Sequence, residues 1–199
     1  MNYPNSIQNL INQFAKLPSI GPKSAERLVF YLLRQDKQKL TDFGEAIEHI
    51  KEKVIICNNC LNFSESNPCA ICGDVRRDQK IICLVAKPQD VIALEKASTF
   101  GGVYFVLGES INPLEGMADN RRLQLLINKI KNSQVTEVIF GLNPDLRGET
   151  ATLYLTKLIR QYLPNVALSR LARGLPMGAD LEYADEITLE NALNSRQKI

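Results

Sequence analysis

Four cysteines, Cys57, Cys60, Cys69 and Cys72, fall as two CxxC pairs separated by eight residues. A thiolate pair at this spacing grips one side of a Zn²⁺ ion, and two pairs complete a tetrahedral shell. With sulfur filling all four positions, no place remains for water or substrate. The cofactor expected is one structural Zn²⁺ per chain. Gly73 after the second pair, and Asn58-Asn59 inside the first, suit tight turns that aim backbone N–H groups at sulfur. A disulfide framework would need an oxidising compartment, and the opening residues MNYPNSIQ lack the basic and apolar regions of a signal peptide. A lone CxxC could serve redox chemistry; two this close favour a metal. Cys83 stands apart in the apolar run Ile81-Ile82-Cys83-Leu84-Val85 and reads as a core thiol.

A second place for chemistry is the stretch Leu17-Pro18-Ser19-Ile20-Gly21-Pro22-Lys23-Ser24-Ala25-Glu26-Arg27-Leu28. A Gly-bearing turn leading into a helix presents unpaired backbone N–H groups where the helix dipole is positive. Gly21 with Lys23 and Arg27, one turn apart, makes a place for a nucleic-acid phosphate, read without regard to base sequence. The segment resembles the helix-hairpin-helix motif of DNA-binding proteins. A helical hairpin with a merely solvated basic face is the plainer alternative.

These groups need elements to hold them. Ile7, Leu10, Ile11 and Phe14 predict an amphipathic helix over 6–16. Pro22 suits the first turn of a second helix, whose apolar face is Ala25, Leu28, Val29, Leu32 and Leu33. Leu40, Phe43, Ile47, Ile50 and Val54 predict a third over 40–54, its stripe fitting domain core or a subunit contact equally. His49, the one histidine, lies off that stripe and reads as a surface residue.

Past residue 78 the pattern becomes alternating strands and helices. Apolar runs at 81–85, 103–107, 138–142 and 166–169 read as strands, with helices near 88–97, 119–132 and 149–163. Such alternation implies a parallel sheet covered on both faces, with ligands at the carboxyl ends of its strands. Those ends carry Ala86-Lys87-Pro88 and Asn143-Pro144-Asp145-Leu146-Arg147-Gly148-Glu149. The layout resembles a Toprim domain, whose catalytic members hold Mg²⁺ with a glutamate after the first strand and an Asp-x-Asp after the third. Ala86 and Asn143 stand where two of those three carboxylates would be. Asp145 and Glu149 could bind a metal only weakly, and a polar turn capping a helix accounts for them as well. No GxxxxGK[ST] phosphate loop occurs, and Gly101-Gly102 is no dinucleotide fingerprint, so intrinsic ATPase activity is not expected.

Composition sets the outer bounds. At 199 residues and 45% hydrophobic, the chain can bury one good core beside a smaller module. No stretch approaches the roughly 20 apolar residues of a membrane helix, so no membrane contact is expected. A net charge of +2 confines nucleic-acid contact to a local patch.

Helix-hairpin-helix, Cys₄ finger and Toprim domain, in this order, resemble the RecR family of bacterial recombination mediators over essentially the whole chain. The sharpest pieces are Leu17–Arg27, the cysteine quartet, and Arg173-Gly174-Leu175-Pro176-Met177-Gly178 running into Leu181-Glu182-Tyr183. The resemblance implies an α+β multi-module fold: a helix-hairpin-helix and oligomerisation region over 1–54, a zinc finger over 55–75, a Toprim-like domain with a parallel sheet over 78–172, and a C-terminal segment over 173–199. It implies a cytoplasmic, non-enzymatic DNA-repair factor acting with RecO and, in many bacteria, RecF, to load RecA onto gapped or single-stranded DNA. Members assemble into dimers and ring-shaped tetramers that can encircle DNA, with the residues matching Lys23 and Arg27 facing it. Family acidic Toprim residues contribute to RecO binding, which makes Glu149 a partner-contact candidate. Ser19 and Ala86 depart from the glycine and glutamate that many members have there. The rival expectations are an active Toprim nuclease or primase-like enzyme, and an interaction scaffold that never touches DNA.

Overall fold

The computed structural model describes residues 3–108 and 120–196, so the expected helix start at 119 and the last residues, 197–199, lie outside it. Two compact units divide the chain, Met1–Val54 and Ile55–Ile199.

In the first unit, α1 (Asn5–Phe14) and α2 (Pro22–Leu32) pack through Ile11, Ala25 and Val29, with Ile7, Phe14, Ala15 and Ile20 around them. Pro22 opens α2 behind Gly21, as expected from a residue that has no N–H to leave unpaired. Ser19 in the connecting turn sits at φ 64°, the left-handed region that glycine enters at least cost. The third helical stretch starts earlier than its apolar stripe suggests, because the Asp36 side chain accepts the Lys39 N–H at 2.9 Å and caps α3 (Lys37–Glu48). It then breaks at His49, whose φ −92° and ψ 0° interrupt the ladder before α4 (Ile50–Lys53). No residue of α3 or α4 is buried. Leu40, Phe43, Ile47 and Ile50 are exposed, Ile47 to 59%, so this stripe is not core in the single chain.

The second unit opens with a two-residue hairpin, β1 (Ile55–Ile56) antiparallel to β2 (Phe63–Ser64), and a single helical turn, α5 (Ala70–Gly73). Then come β3 (Asp78–Val85), α6 (Pro88–Lys96), β4 (Gly102–Val106), α7 (Asn120–Asn132), β5 (Glu137–Gly141), α8 (Leu146–Tyr162) and β6 (Ala167–Arg170). The four long strands form one parallel sheet in the order β4-β3-β5-β6, with Ile82 level with Val103 and Val138, and Val138 with Leu168. Successive side chains of β3 point to opposite faces. Ile82 and Leu84 join Phe105, Val138 and Phe140 under Leu126 and Ile130 of α7 and Leu155 and Ile159 of α8. Cys83 and Val85 join Tyr104, Val106 and Val91 of α6 on the other side. Both faces are therefore covered, which is why the strands read as unbroken apolar runs. Cys83 is the core thiol expected, and burial pushes it up to about 12.

The cysteine-bearing segment belongs to the same unit as the sheet. The Val106 N–H donates to the Cys60 carbonyl at 2.8 Å, and Leu61 and Ile71 pack against the core on the α6 face. A polar knot reinforces the edge strand: Arg77 donates to Glu95 Oε1 and to the Gly102 carbonyl, both at 3.0 Å, and the Tyr104 hydroxyl donates to Glu95 Oε1 at 2.7 Å. After β6, a short 3₁₀ turn (Leu181–Tyr183) leads to α9 (Glu186–Asn194), capped by Asp185. Met177, Leu181, Tyr183, Ile187 and Leu193 project from this stretch into solvent.

Candidate metal centre and nucleic-acid interface

The sulfur atoms of Cys57, Cys60, Cys69 and Cys72 all lie within 4.8 Å of one another. Cys57 and Cys60 flank a tight turn closed by the Leu61 N–H donating to the Cys57 carbonyl at 2.9 Å, and Cys69 caps the turn α5 that carries Cys72. Backbone N–H groups reach the sulfurs as the spacing implied: Cys69 N–H donates to Cys57 Sγ and Cys72 N–H to Cys69 Sγ, both at 3.4 Å. The Asn58 N–H goes instead to the Asn67 side chain. None of the four is in a disulfide, and Cys57, Cys60 and Cys69 are buried.

Burial raises the Cys57 thiol, but N–H groups of Cys69, Asn59 and Cys60 more than offset it and hold it near 7. The Cys72 hydrogen bond and burial push Cys60 up, and burial together with the Cys60 charge pushes Cys69 up. One thiol thus ionises readily while Cys60 and Cys69 resist. A divalent cation removes that resistance, because a coordinating thiol is deprotonated outright. Four converging soft donors form a site able to bind a metal ion and compatible with zinc. Among the described residues they are the one such group of three or more potential ligands.

At the start of α2, Gly21 has φ −82° and ψ 169°, ordinary extended backbone, and a Cβ placed there would meet nothing within 4 Å. The chain's own packing does not require glycine at this position. No side chain caps the first turn of α2. Lys23 and Arg27 are exposed, and among the described residues neither makes an ion pair. Glu26, the one carboxylate of α2, is engaged on the flank by the Tyr3 hydroxyl, which donates to Oε1. The Tyr3 ring in turn stands edge-on to Phe30, centroids 5.3 Å apart. Glu26 thus forms no ion pair with either cation. His49 is half-buried and pairs with Glu52, its Nδ1 2.8 Å from Oε2.

The strand order reverses beside β3, so the carboxyl ends of β3 and β5 form the crevice where such sheets hold ligands. A cleft of about 290 Å³ lies at the carboxyl ends of β5 and β6 beside α6, lined by Asn143, Thr152, Arg170 and Arg173 among others. Asp145 does not face it as a free ligand: its side chain accepts the Gly148 N–H at 2.8 Å and starts α8 three residues before the expected helix. Gly148 lies so close to the Asn143 carbonyl that a Cβ would collide with it. Glu149 accepts from Arg173 and has Arg170 at 3.7 Å. The polar turn that caps a helix is the arrangement present.

Pattern reading missed the partners that fix these groups. Nothing in the sequence joined Arg77 to Glu95, or Glu149 to Arg170 and Arg173, because these partners lie 18 to 24 residues apart. Tyr31 was also passed over, although Lys23, Arg27 and Tyr31 follow i, i+4, i+8, a spacing that marks one helical stripe.

Three family models match the chain. The one described as RecR, helix-hairpin-helix covers residues 7–51, the Toprim domain covers 80–172, and the one described as RecR, C-terminal covers 174–197. Among curated relatives, the recombination protein RecR of Bifidobacterium longum subsp. infantis is 46% identical over 98% of this chain and 98% of its own length. Those of Pelotomaculum thermopropionicum and Saccharopolyspora erythraea are 44% and 42% identical, over 99% of this chain and 98% and 100% of their own lengths.

Proposed function

The chain belongs to the RecR family of recombination proteins, and on that premise we propose that it is a non-enzymatic mediator of recombinational DNA repair that binds DNA through α2. The observation that carries this is the solvent-facing pair Lys23 and Arg27, unpaired among the described residues, beside a Gly21 turn whose Cβ position is open. Two cations and an uncapped helix start suit a phosphodiester and carry no base-specific information. Cys57, Cys60, Cys69 and Cys72 hold one structural Zn²⁺, whose role is to fold and dock the finger.

Two basic residues form a weak footprint, so useful affinity comes from repeating the patch around a self-assembled dimer or tetrameric ring. The uncovered stripe of α3 and α4 and the projecting side chains of residues 177–193 support self-association. In this scheme the ring acts in the cytoplasm with RecO, and with RecF where the host has it, to load RecA onto gapped or single-stranded DNA. Glu149, held at the carboxyl end of the sheet by Arg173 and Arg170, is a RecO contact. Ala86 and Asn143 leave a Toprim reaction without two of its three carboxylates, which supports a non-catalytic role.

The test is a fluorescence-anisotropy titration of the full chain onto gapped DNA with Mg²⁺, at several salt and protein concentrations, with the DNA run on a gel afterwards. Salt-sensitive, cooperative binding and intact DNA are expected. Cleaved DNA would restore the enzyme alternative, and no binding at low salt would leave a scaffold without direct DNA contact.

A further inference from the structure

We infer that Tyr31 is a base-stacking residue, giving the α2 surface a preference for DNA that exposes an unpaired base. The inference rests on α2 being the DNA-binding helix. At about 100° per residue, Lys23, Arg27 and Tyr31 fall within an arc of about 80°. Ala25 and Val29, fully buried, lie on the opposite side of the same helix. The Tyr31 ring is therefore turned to solvent, and the residue is 61% exposed.

Its surroundings set it apart from an isolated surface aromatic. Arg27 lies one turn before it, and Arg34 follows in the turn that ends the helix. Among the described residues, neither the ring nor the hydroxyl of Tyr31 has a partner, and no guanidinium stacks on the ring. Hydrogen bonds accepted by Tyr31 go to its backbone carbonyl, which takes the Arg34 N–H and the Gln35 side chain, and leave the ring and hydroxyl out. Glu26, the one carboxylate of α2, hydrogen-bonds to Tyr3 on the flank and makes no contact with the Tyr31 ring.

A bare aromatic face between cations is the arrangement that holds single-stranded nucleic acid: charges track the phosphates while a base lies on the ring. Paired bases in a duplex are stacked on each other and offer no free face. The ligand class is thus an unpaired nucleobase within a polyanionic strand, as at a gap or a strand end.

Stacking and charge respond differently to salt, and this makes the inference testable. Full-length protein would be titrated by anisotropy onto a single-stranded oligonucleotide and onto a duplex of equal length, over a range of salt concentrations. Tyr31→Ala should weaken single-strand binding about 5-fold or more while leaving duplex binding within about 2-fold. Its slope of log affinity against log salt should match that of the unmodified chain, because no counterion is involved. Tyr31→Phe should restore the affinity, since the ring and not the hydroxyl does the stacking. Equal loss on both DNA forms, no loss, or a changed slope would overturn the assignment. So would a change in assembly state on sedimentation, which would place Tyr31 against another copy of the chain. The Lys23→Ala, Arg27→Ala double variant separates the two levels: if it binds both DNA forms normally, α2 is not the DNA surface. If it loses both while Tyr31→Ala loses neither, the stacking role alone is wrong.

Discussion

Replacing Lys23 and Arg27 by alanine removes two charges that form no ion pair among the described residues. Both side chains are exposed and available to phosphate, and removing them breaks no hydrogen bond or ion pair among the described residues. Each cation that meets a duplex phosphate contributes about −0.9 to the slope of log affinity against log salt, so the pair contributes about −1.8 per bound subunit. Over a fourfold rise in salt, from about 50 to about 200 mM, that slope corresponds to a loss of about 12-fold in affinity per bound subunit. Contributions multiply as further subunits of a ring engage, which is how a chain of net charge +2 could hold DNA. The double variant should therefore show a shallower slope, by about 1.8 per bound subunit, and should differ most from the unmodified chain at low salt. Folding stability should change by less than about 0.5 kcal/mol, as for exposed side chains elsewhere. Anisotropy across a salt series, with a thermal melt and metal analysis on the same sample, measures all three quantities. An unchanged slope in a folded, metal-loaded variant would refute phosphate binding by α2.

Three further expectations use other parts of the molecule. Gly21→Ala places a Cβ in open space, so it should cost less than about 1 kcal/mol of stability while weakening DNA binding several-fold; undiminished binding would mean that no phosphate approaches this turn. Cys57→Ser should abolish stoichiometric metal in elemental analysis and destabilise the second unit by several kcal/mol, given the roughly 10–16 kcal/mol that Zn²⁺ supplies to small fingers; an unshifted melting curve would count against a structural metal. Glu95 is raised by burial, but Arg77 and Tyr104 more than offset this and hold it below its ordinary range. Its stabilising contribution is therefore complete above the ordinary carboxylate range and lost as the pH falls through the depressed folded-state value. Glu95→Gln should cost about 1–3 kcal/mol at neutral pH and nothing once the carboxylate is protonated, as read from urea denaturation at the two pH values; an equal cost at both would show that the Arg77 ion pair is not its source.

The elements of the sheet were legible because their signal is local. Continuous apolar runs mark strands buried on both faces; three expected strands fall within one residue of the observed ones, and β3 begins three residues before its apolar run. Helix starts were less legible where a polar cap preceded the apolar stripe: Asp36 and Asp145 each open their helix three residues before the expected start. The α3 stripe shows a deeper limit. Three-four spacing proves that a face is apolar, but not what covers it, and the structure leaves this face open.

By itself, the sequence determined which groups could do chemistry. Two CxxC pairs specify a four-sulfur site wherever the backbone allows them to meet, and Gly21, Lys23 and Arg27 share one short turn and helix. Only the tertiary structure decided how those groups stand. It joined the cysteine segment to the sheet through Cys60 and Val106, residues far apart in the chain. It engaged Glu26 with Tyr3 and left Lys23 and Arg27 without an ion pair among the described residues, and it held Glu149 between Arg170 and Arg173. The physical reason is range. Periodicity, capping and ligand spacing act over one or two turns of chain, whereas charge pairing and burial depend on distances that exist only after the core has closed.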